Sequence, residues 1–301
     1  MPKVYTACMP SKHSVWFLGT SAFAVPSLEA LWKDDAFSVD LVITQPDRPT
    51  GRKQELMPPP VKIAAQKHGL RIEQPENIND HFQFSIFNFQ LSTPDFLIVV
   101  SFGQILSQEI LSVPTIAAVN VHASLLPRWR GASPIQHAIL AGDAETGVSV
   151  QKMVKELDAG PILNQEKVAI APRETFTTAH DKLATIGAGL LLRTLKNPLQ
   201  PLEQDPTRVT VCRTLKREDG MVHPQEMTAE EIDRNVRALN PWPGVTLVQD
   251  GQTVKILESS LEPTVDSAVL TCAKGTVLHL VRVQAAGGKP MTGAAWERGK
   301  R

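Results

Sequence analysis

The sequence predicts an α/β fold, a doubly wound and mostly parallel sheet, followed by a small β-barrel of OB-like type. Short apolar runs alternate with amphipathic stretches through about the first 200 residues, the pattern of strands and crossover helices. A proline-rich, aperiodic stretch, Asn197 to Pro206, then interrupts the pattern as an interdomain connection would. Beyond it lie short strand-like runs separated by turn residues, with a single amphipathic helix among them. At roughly 100 to 200 residues per domain, a chain of 301 residues has room for two. The expected division is an extension over residues 1–13, an α/β domain over 14–196, a linker over 197–207 and a barrel domain over 208–301.

In the first domain the apolar runs Ser14 to Leu18, Val39 to Thr44, Phe96 to Val100, Ala117 to His122 and Gly147 to Met153 are the expected strands. Pro26 to Trp32, Val61 to His68 and Pro134 to Leu140 are the expected helices; in the first and last, proline suits the opening turn because its missing N–H has no partner there anyway. In the second domain Val209 to Arg213, Gly244 to Val248, Thr253 to Leu257, Ser267 to Cys272 and Val277 to Val283 are short strands, with Asp250-Gly251 as a turn. Ala229 to Leu239 has helical periodicity. Such a set builds a small barrel or a sandwich, and the oligonucleotide-binding barrel is one of that size.

Composition narrows the function. Lys and Arg number 31 and Asp and Glu number 31, so a polyanion would have to be met by a local patch and not by net charge. A hydrophobic fraction of 42% with 21% charged residues excludes a disordered or fibrous chain. The three cysteines, Cys8, Cys212 and Cys272, are odd in number and widely spaced, fitting neither a disulfide framework nor a metal site, and a cytoplasmic protein without metal is expected. No run of about 18 apolar residues occurs, and the first residues lack a secretory apolar core. The turn after the first strand, Gly19-Thr20-Ser21, is not GxGxxG, and no GxxxxGK[ST] occurs, which argues against dinucleotide and nucleoside triphosphate sites.

Three segments carry candidate chemistry. In Asn120-Val121-His122, at the carboxyl end of a strand, the first and third side chains share one face where α/β sheets bind ligands. An amide donor beside an imidazole suits attack on an acyl carbon; the same pair also suits satisfying the backbone of the next loop. About thirty residues on, Glu156-Leu157-Asp158-Ala159-Gly160-Pro161 is a loop in which Asp158 either orients the imidazole or simply forms a turn. Thr44 to Val61 is long for a strand-to-helix connection and carries three positive and two negative side chains. It is either an arm that touches a phosphate backbone or a solvated, proline-stiffened loop.

Together these segments resemble the folate-dependent formyltransferases. Asn120-Val121-His122, Ser124-Leu125-Leu126-Pro127 and Arg130-Gly131 are similar to the signature of that family. Gln45-Pro46-Asp47-Arg48-Pro49, ending in Leu56-Met57-Pro58, resembles a loop of its tRNA-acting branch, and Leu239-Asn240-Pro241-Trp242-Pro243-Gly244 resembles the entry to that branch's C-terminal domain. The likeness runs from about Ser14 to the C-terminus. It implies transfer of a formyl group from 10-formyltetrahydrofolate, a co-substrate, to the α-amino group of methionyl initiator tRNA, in support of translation initiation. Carried over by motif, Asn120, His122 and Asp158 are catalytic. Ser124, Leu125, Leu126 and Pro127 contact the folate, and Phe102, Ile105 and Leu106 line the pterin pocket. Arg48, Arg52 and Lys53 meet the tRNA. A monomer is implied.

The resemblance also marks departures. Lys53-Gln54-Glu55 brings an acid into a loop that is more basic in the family, residues 1–13 have no counterpart, and Arg282 to Arg301 holds five basic and one acidic side chain that offer further tRNA contacts. A sugar-nucleotide N-formyltransferase would use the same donor and a similar two-domain plan, but the proline-flanked loop argues against it. A purine-pathway transformylase would lack the second domain. A silent RNA-binding relative would be expected to have lost one of Asn120, His122 and Asp158, and all three are present.

Overall fold

Strand β1 (His13–Gly19) lies inside the main sheet because its run from Val15 to Leu18 is apolar and fully buried, as a strand covered on both faces requires. A computed structural model describes residues 12–51, 54–80, 92–249 and 251–299. The chain divides into two units, one formed by the chain up to Pro127 with Gly147–Glu166 and Lys182–Val209, the other by Arg128–Thr146, Lys167–Asp181 and the chain from Thr210 onward.

In the first unit, helix α1 (Val25–Lys33) opens on Pro26 and buries Leu28 and Leu31. Then come β2 (Phe37–Ile43), an exposed antiparallel hairpin of β3 (Arg48–Thr50) and β4 (Glu55–Met57), α2 (Pro60–Lys67) and the short β5 (Ile72–Glu73). Strand β6 (Phe96–Val100) is wholly buried, and α3 (Gln108–Leu111) is capped by the hydroxyl of Ser107, which accepts from the Ile110 N–H. Strand β7 (Ala117–His122) follows; along the chain β8 (Arg130–Gly131) and α4 (Pro134–Ala141) then belong to the second unit, before β9 (Glu145–Lys152), β10 (Ile162–Ala169) and the long helix α5 (Phe176–Leu195).

The seven-stranded sheet has the order β10-β9-β7-β6-β1-β2-β5. β1 pairs in parallel with β2 on one side and β6 on the other, so the winding reverses between them and opens a crevice at the strands' carboxyl ends. β6 and β7 are parallel, whereas β7 and β9 are antiparallel. A cluster containing Trp16, Leu18, Leu41, Ile43, Leu97, Val99 and Phe102 fills one face.

In the second unit, β8 pairs with β11 (Val211–Cys212). Helix α6 (Ala229–Leu239) opens with a capping box, Thr228 accepting from the Glu231 N–H and Glu231 from the Thr228 N–H. An antiparallel sheet follows in the order β12 (Val245–Gln249), β13 (Gln252–Ser260), β15 (Val277–Ala285), β14 (Ala268–Thr271), with β16 (Met291–Thr292) also on β15 and helix α7 (Gly293–Arg298) after it. Asp233 of α6 is almost fully buried beneath Arg173 and Arg237, each 2.8 Å from it, and accepts from Ser259. Cys212 and Cys272 are buried free thiols.

Several expectations need correction. His13 already belongs to β1, so regular structure begins inside the stretch read as an extension; residues 1–11 lie outside the described residues. Asp250 of the anticipated turn lies outside them too. Within the proline-rich stretch, Leu202 and Ile162 exchange both backbone hydrogen bonds, each at 2.8 Å. Val209 to Arg213 shrinks to the two-residue β11. The β3–β4 hairpin, β10 and α5 were not anticipated.

Candidate active site

Register places the first polar side chains. β7 and β9 run antiparallel with Asn120 opposite Gln151 and His122 opposite Ser149. Residues two apart share a face, so these four side chains emerge together at the carboxyl end of β7. The chain then leaves β9 and returns as the loop carrying Asp158. Asp158 has φ of +51°, a left-handed conformation that a non-glycine residue adopts only when its surroundings hold it there. Gly160 is needed beside it, because a Cβ would stand 1.8 Å from the carbonyl oxygen of Lys152.

The loop brings Asp158 onto the pair predicted from sequence. Its Oδ2 lies 3.6 Å from Nδ1 of His122, and both side chains are more than nine-tenths buried. Its Oδ1 accepts from Nδ2 of Asn120 at 3.3 Å and from Nε2 of Gln151 at 2.9 Å. One carboxylate thus faces an amide and an imidazole at once. An imidazole that gains a proton here has a counter-charge at ion-pair distance, and the partly exposed Asn120 amide adds a hydrogen-bond donor beside it.

The Ser124–Pro127 segment follows β7 directly. Ser124, Leu126 and Pro127 are buried and Leu125 is partly so. Ser149 fixes its backbone, the hydroxyl donating to the Ser124 carbonyl at 2.6 Å and accepting from the Leu126 N–H at 3.0 Å. Gln165 of β10 donates to the Leu126 carbonyl at 2.9 Å and to the Ser149 hydroxyl at 2.7 Å. A segment so pinned can present backbone groups to a planar heterocycle without having to order itself first.

At the end of β6 the predicted pocket residues separate. Phe102 and Leu106 turn into the core, while Ile105 is 80% exposed. What the first two leave toward the crevice is backbone: the Phe102 carbonyl accepts from the Thr20 hydroxyl at 2.7 Å and from Nε2 of Gln45 at 3.3 Å. Ser101 (φ +46°) and Gly103 (φ +87°) make the bend.

The long loop becomes the β3–β4 hairpin, with Leu56 and Met57 exposed at its end. Its base is fastened by Asp47, which accepts from Gln74 at 2.8 Å and from Lys62 at 2.7 Å; those two bonds hold its carboxyl below the usual carboxylate range. Arg48 is exposed and paired with Glu76 at 2.7 Å. Arg52 and Lys53 lie outside the described residues, as do Lys300 and Arg301, whereas Arg282, Lys289 and Arg298 are exposed.

Sequence reading missed Gln151, Ser149, Gln165 and Gln204. The only cue to the first two was that they alternate with apolar residues on a strand.

A doubly wound sheet with Asn120, His122 and Asp158 gathered at its ligand-binding end, joined to an antiparallel C-terminal unit, defines a formyltransferase. The chain belongs to that family, matching the formyl transferase model over residues 12–195 and the model of the formyl transferase C-terminal domain over residues 214–301. Within it, the chain belongs with the methionyl-tRNA formyltransferases. It is 45% identical to that of Moorella thermoacetica, over 81% of this chain and 79% of the relative. It is 37% identical to that of Natranaerobius thermophilus, over 94% and 96%. Among solved structures it is similar in fold to methionyl-tRNA formyltransferase from Clostridium thermocellum, at 14% identity and a TM-score of 0.58 over 91% of this chain and 98% of the other. It is also similar to an N-formyltransferase from Helicobacter canadensis in complex with folinic acid and dTDP-3-aminofucose, at 17% identity and 0.64 over 90% and 99%.

Proposed function

We propose that this chain transfers the formyl group of 10-formyltetrahydrofolate to the α-amino group of methionyl initiator tRNA, in the cytoplasm and as a monomer. The observation that carries the chemistry is the meeting of Asn120, His122 and Asp158 around one carboxylate. The neutral amine attacks the formyl carbon and forms the new C–N bond. Nδ2 of Asn120 donates to the oxygen as it becomes anionic. His122 takes the proton released by the amine and returns it to the folate nitrogen as the old C–N bond breaks, so no proton is left over. Asp158 balances the imidazolium in between. With an α-amino group of pKa about 7.7 to 8.0, a useful share of the acceptor is already neutral near pH 7.

Residues Ser124–Pro127 hold the folate, and the crevice beside Phe102, Ile105 and Leu106 takes the pterin. The hairpin with Arg48, Arg52 and Lys53 meets the acceptor arm of the tRNA. Residues 14–196 carry out transfer, 197–207 connect, and 208–301 add tRNA-binding surface through exposed bases such as Arg282 and Lys289. Identities of 37% and 45% to tRNA enzymes, against 17% to the sugar enzyme, favour the tRNA acceptor. No helix among the described residues is long and apolar enough to cross a membrane.

The test is formyl transfer from 10-formyltetrahydrofolate with charged initiator tRNA, uncharged tRNA and an amino-sugar nucleotide in parallel. Formylation of the charged tRNA alone is expected. Formylation of the sugar nucleotide in its place would reassign the acceptor.

A further inference from the structure

Asp158 is held by more than its two catalytic neighbours. Gln151, 2% exposed, donates to Oδ1 of Asp158 at 2.9 Å, a shorter bond than the 3.3 Å one from Asn120. Gln204 reaches the same loop from the proline-rich connection, 46 residues further along the chain. Its Nε2 donates to the carbonyl of Asp158 at 2.8 Å and to that of Gly160 at 2.7 Å, and stands 3.4 Å from Oε1 of Gln151. Gln204 is itself 9% exposed, and the backbone pairing of Leu202 with Ile162 fixes the strip of chain that carries it.

These contacts divide the work. A side-chain amide has two faces, and only one orientation of Gln151 points its N–H at the carboxylate; the reverse would set a carbonyl oxygen against it. Nε2 of Gln204 beside Oε1 of Gln151 favours the productive orientation. With Gln151 occupying Oδ1, Oδ2 is left to face His122, and Asn120 is not the sole anchor of the carboxylate. The two carbonyls gripped by Gln204 flank the left-handed turn at Asp158, which would otherwise relax to a more ordinary backbone conformation.

We propose that Gln151 and Gln204 are a positioning pair for Asp158: Gln151 aims the carboxylate at His122, and Gln204 holds both the Gln151 amide and the strained backbone of the loop. The proposal rests on the catalytic reading of Asp158. Neither glutamine touches the reacting atoms; both act through Asp158, and a residue of the proline-rich stretch thereby becomes part of the active-site support.

The experiment measures kcat and KM for Gln204→Leu, Gln204→Glu and Gln151→Leu, each alone and combined with Asp158→Ala, using single-turnover rates where turnover is slow. Alone, each variant is expected to lose about 10- to 100-fold in kcat, as misplacement of a catalytic group by an ångström or less can cost. KM for the formyl donor and for charged tRNA should stay within about twofold. Gln204→Glu keeps the length and removes the N–H donors, so it should fare no better than Gln204→Leu. In the Asp158→Ala background the further loss should fall below about twofold, because residues acting through one group are not additive. Equal losses in both backgrounds, or no loss in either single variant, would overturn the pairing. Full activity of Asp158→Ala by itself would instead overturn the catalytic reading beneath it. Should Gln204→Leu fail to fold, Gln204→Glu and Gln151→Leu carry the same test.

Discussion

Asp158 turns Oδ2 toward Nδ1 of His122 at 3.6 Å, and the side chains of both are almost wholly buried. Buried groups at this distance are poorly screened, so the carboxylate can stabilise a transient imidazolium far better than an exposed one could. The residues come together across 36 positions only because the β9 loop folds back over the end of β7.

Removing either member should therefore strike the chemical step. His122→Ala and Asp158→Ala are each expected to lower kcat by about two to four orders of magnitude, the range general acid–base catalysis supplies, with KM changed only modestly. Steady-state formylation kinetics check this. Near-normal turnover in both variants would remove them from the mechanism.

Ser149 should act on binding. Its buried hydroxyl bonds the backbone of Ser124 and Leu126, and truncation leaves those groups short of partners at about 1 to 2 kcal/mol. Ser149→Ala should raise KM for the formyl donor about 5- to 30-fold with little change in KM for the tRNA. Equal changes for both substrates would mean that the effect is not confined to the folate segment.

The hairpin should govern the tRNA alone. Arg52→Ala and Arg48→Ala are expected to raise KM for charged tRNA while leaving donor binding intact. A lost phosphate contact reduces the slope of log affinity against log salt by about 1 per residue. Arg48 should show the smaller effect, because Glu76 already competes for it. Salt titrations of tRNA binding distinguish the two, and an unchanged slope in both variants would take the hairpin out of the interface.

Acid stability has a named contributor in the second unit. Asp219 is bound by the Arg213 guanidinium and accepts from the Lys216 N–H at 2.6 Å, and these contacts lower its pKa from 3.8 to about 2. A lowered carboxylate pKa stabilises the fold above the unfolded value of about 3.8, and this contribution is lost as pH falls toward 2. Because Arg213 is mostly exposed, solvent screening reduces the effect to about 1 kcal/mol. Denaturant unfolding of wild type and Asp219→Asn should differ by that amount at pH 6 and converge as pH approaches 2. A gap independent of pH would assign the effect to something other than this ionisation.

The parts legible from sequence are those whose signal is local. Phe96–Val100, Ala117–His122 and Ala229–Leu239 match the sequence reading because a continuous apolar run marks a strand buried on both faces and a 3.6-residue stripe marks a helix packed on one. β10 escaped because its alternation of partly buried and exposed residues is interrupted by polar side chains, and the short β3 and β4 because they are exposed throughout. Asn120 and His122 were legible as a pair two residues apart on one strand. For Asp158 the residues alone leave a turn former and a partner of His122 both open, and only the motif resemblance chooses between them.

By itself, the sequence determined the class of fold and the family and named the candidate side chains for the chemistry, because these follow from periodicity and from short contiguous motifs. Tertiary structure alone decided how those side chains are aimed. Which residue lies opposite Asn120, which amide holds Asp158 and which hydroxyl pins the Ser124–Pro127 segment depend on strand register and on a loop held in a left-handed turn. Gln204 carries no local signal of its partnership with Asp158, since a polar residue between Glu203 and Asp205 in a proline-rich stretch reads as linker. Its part is set by hydrogen bonds to carbonyls that only the folded chain brings within reach.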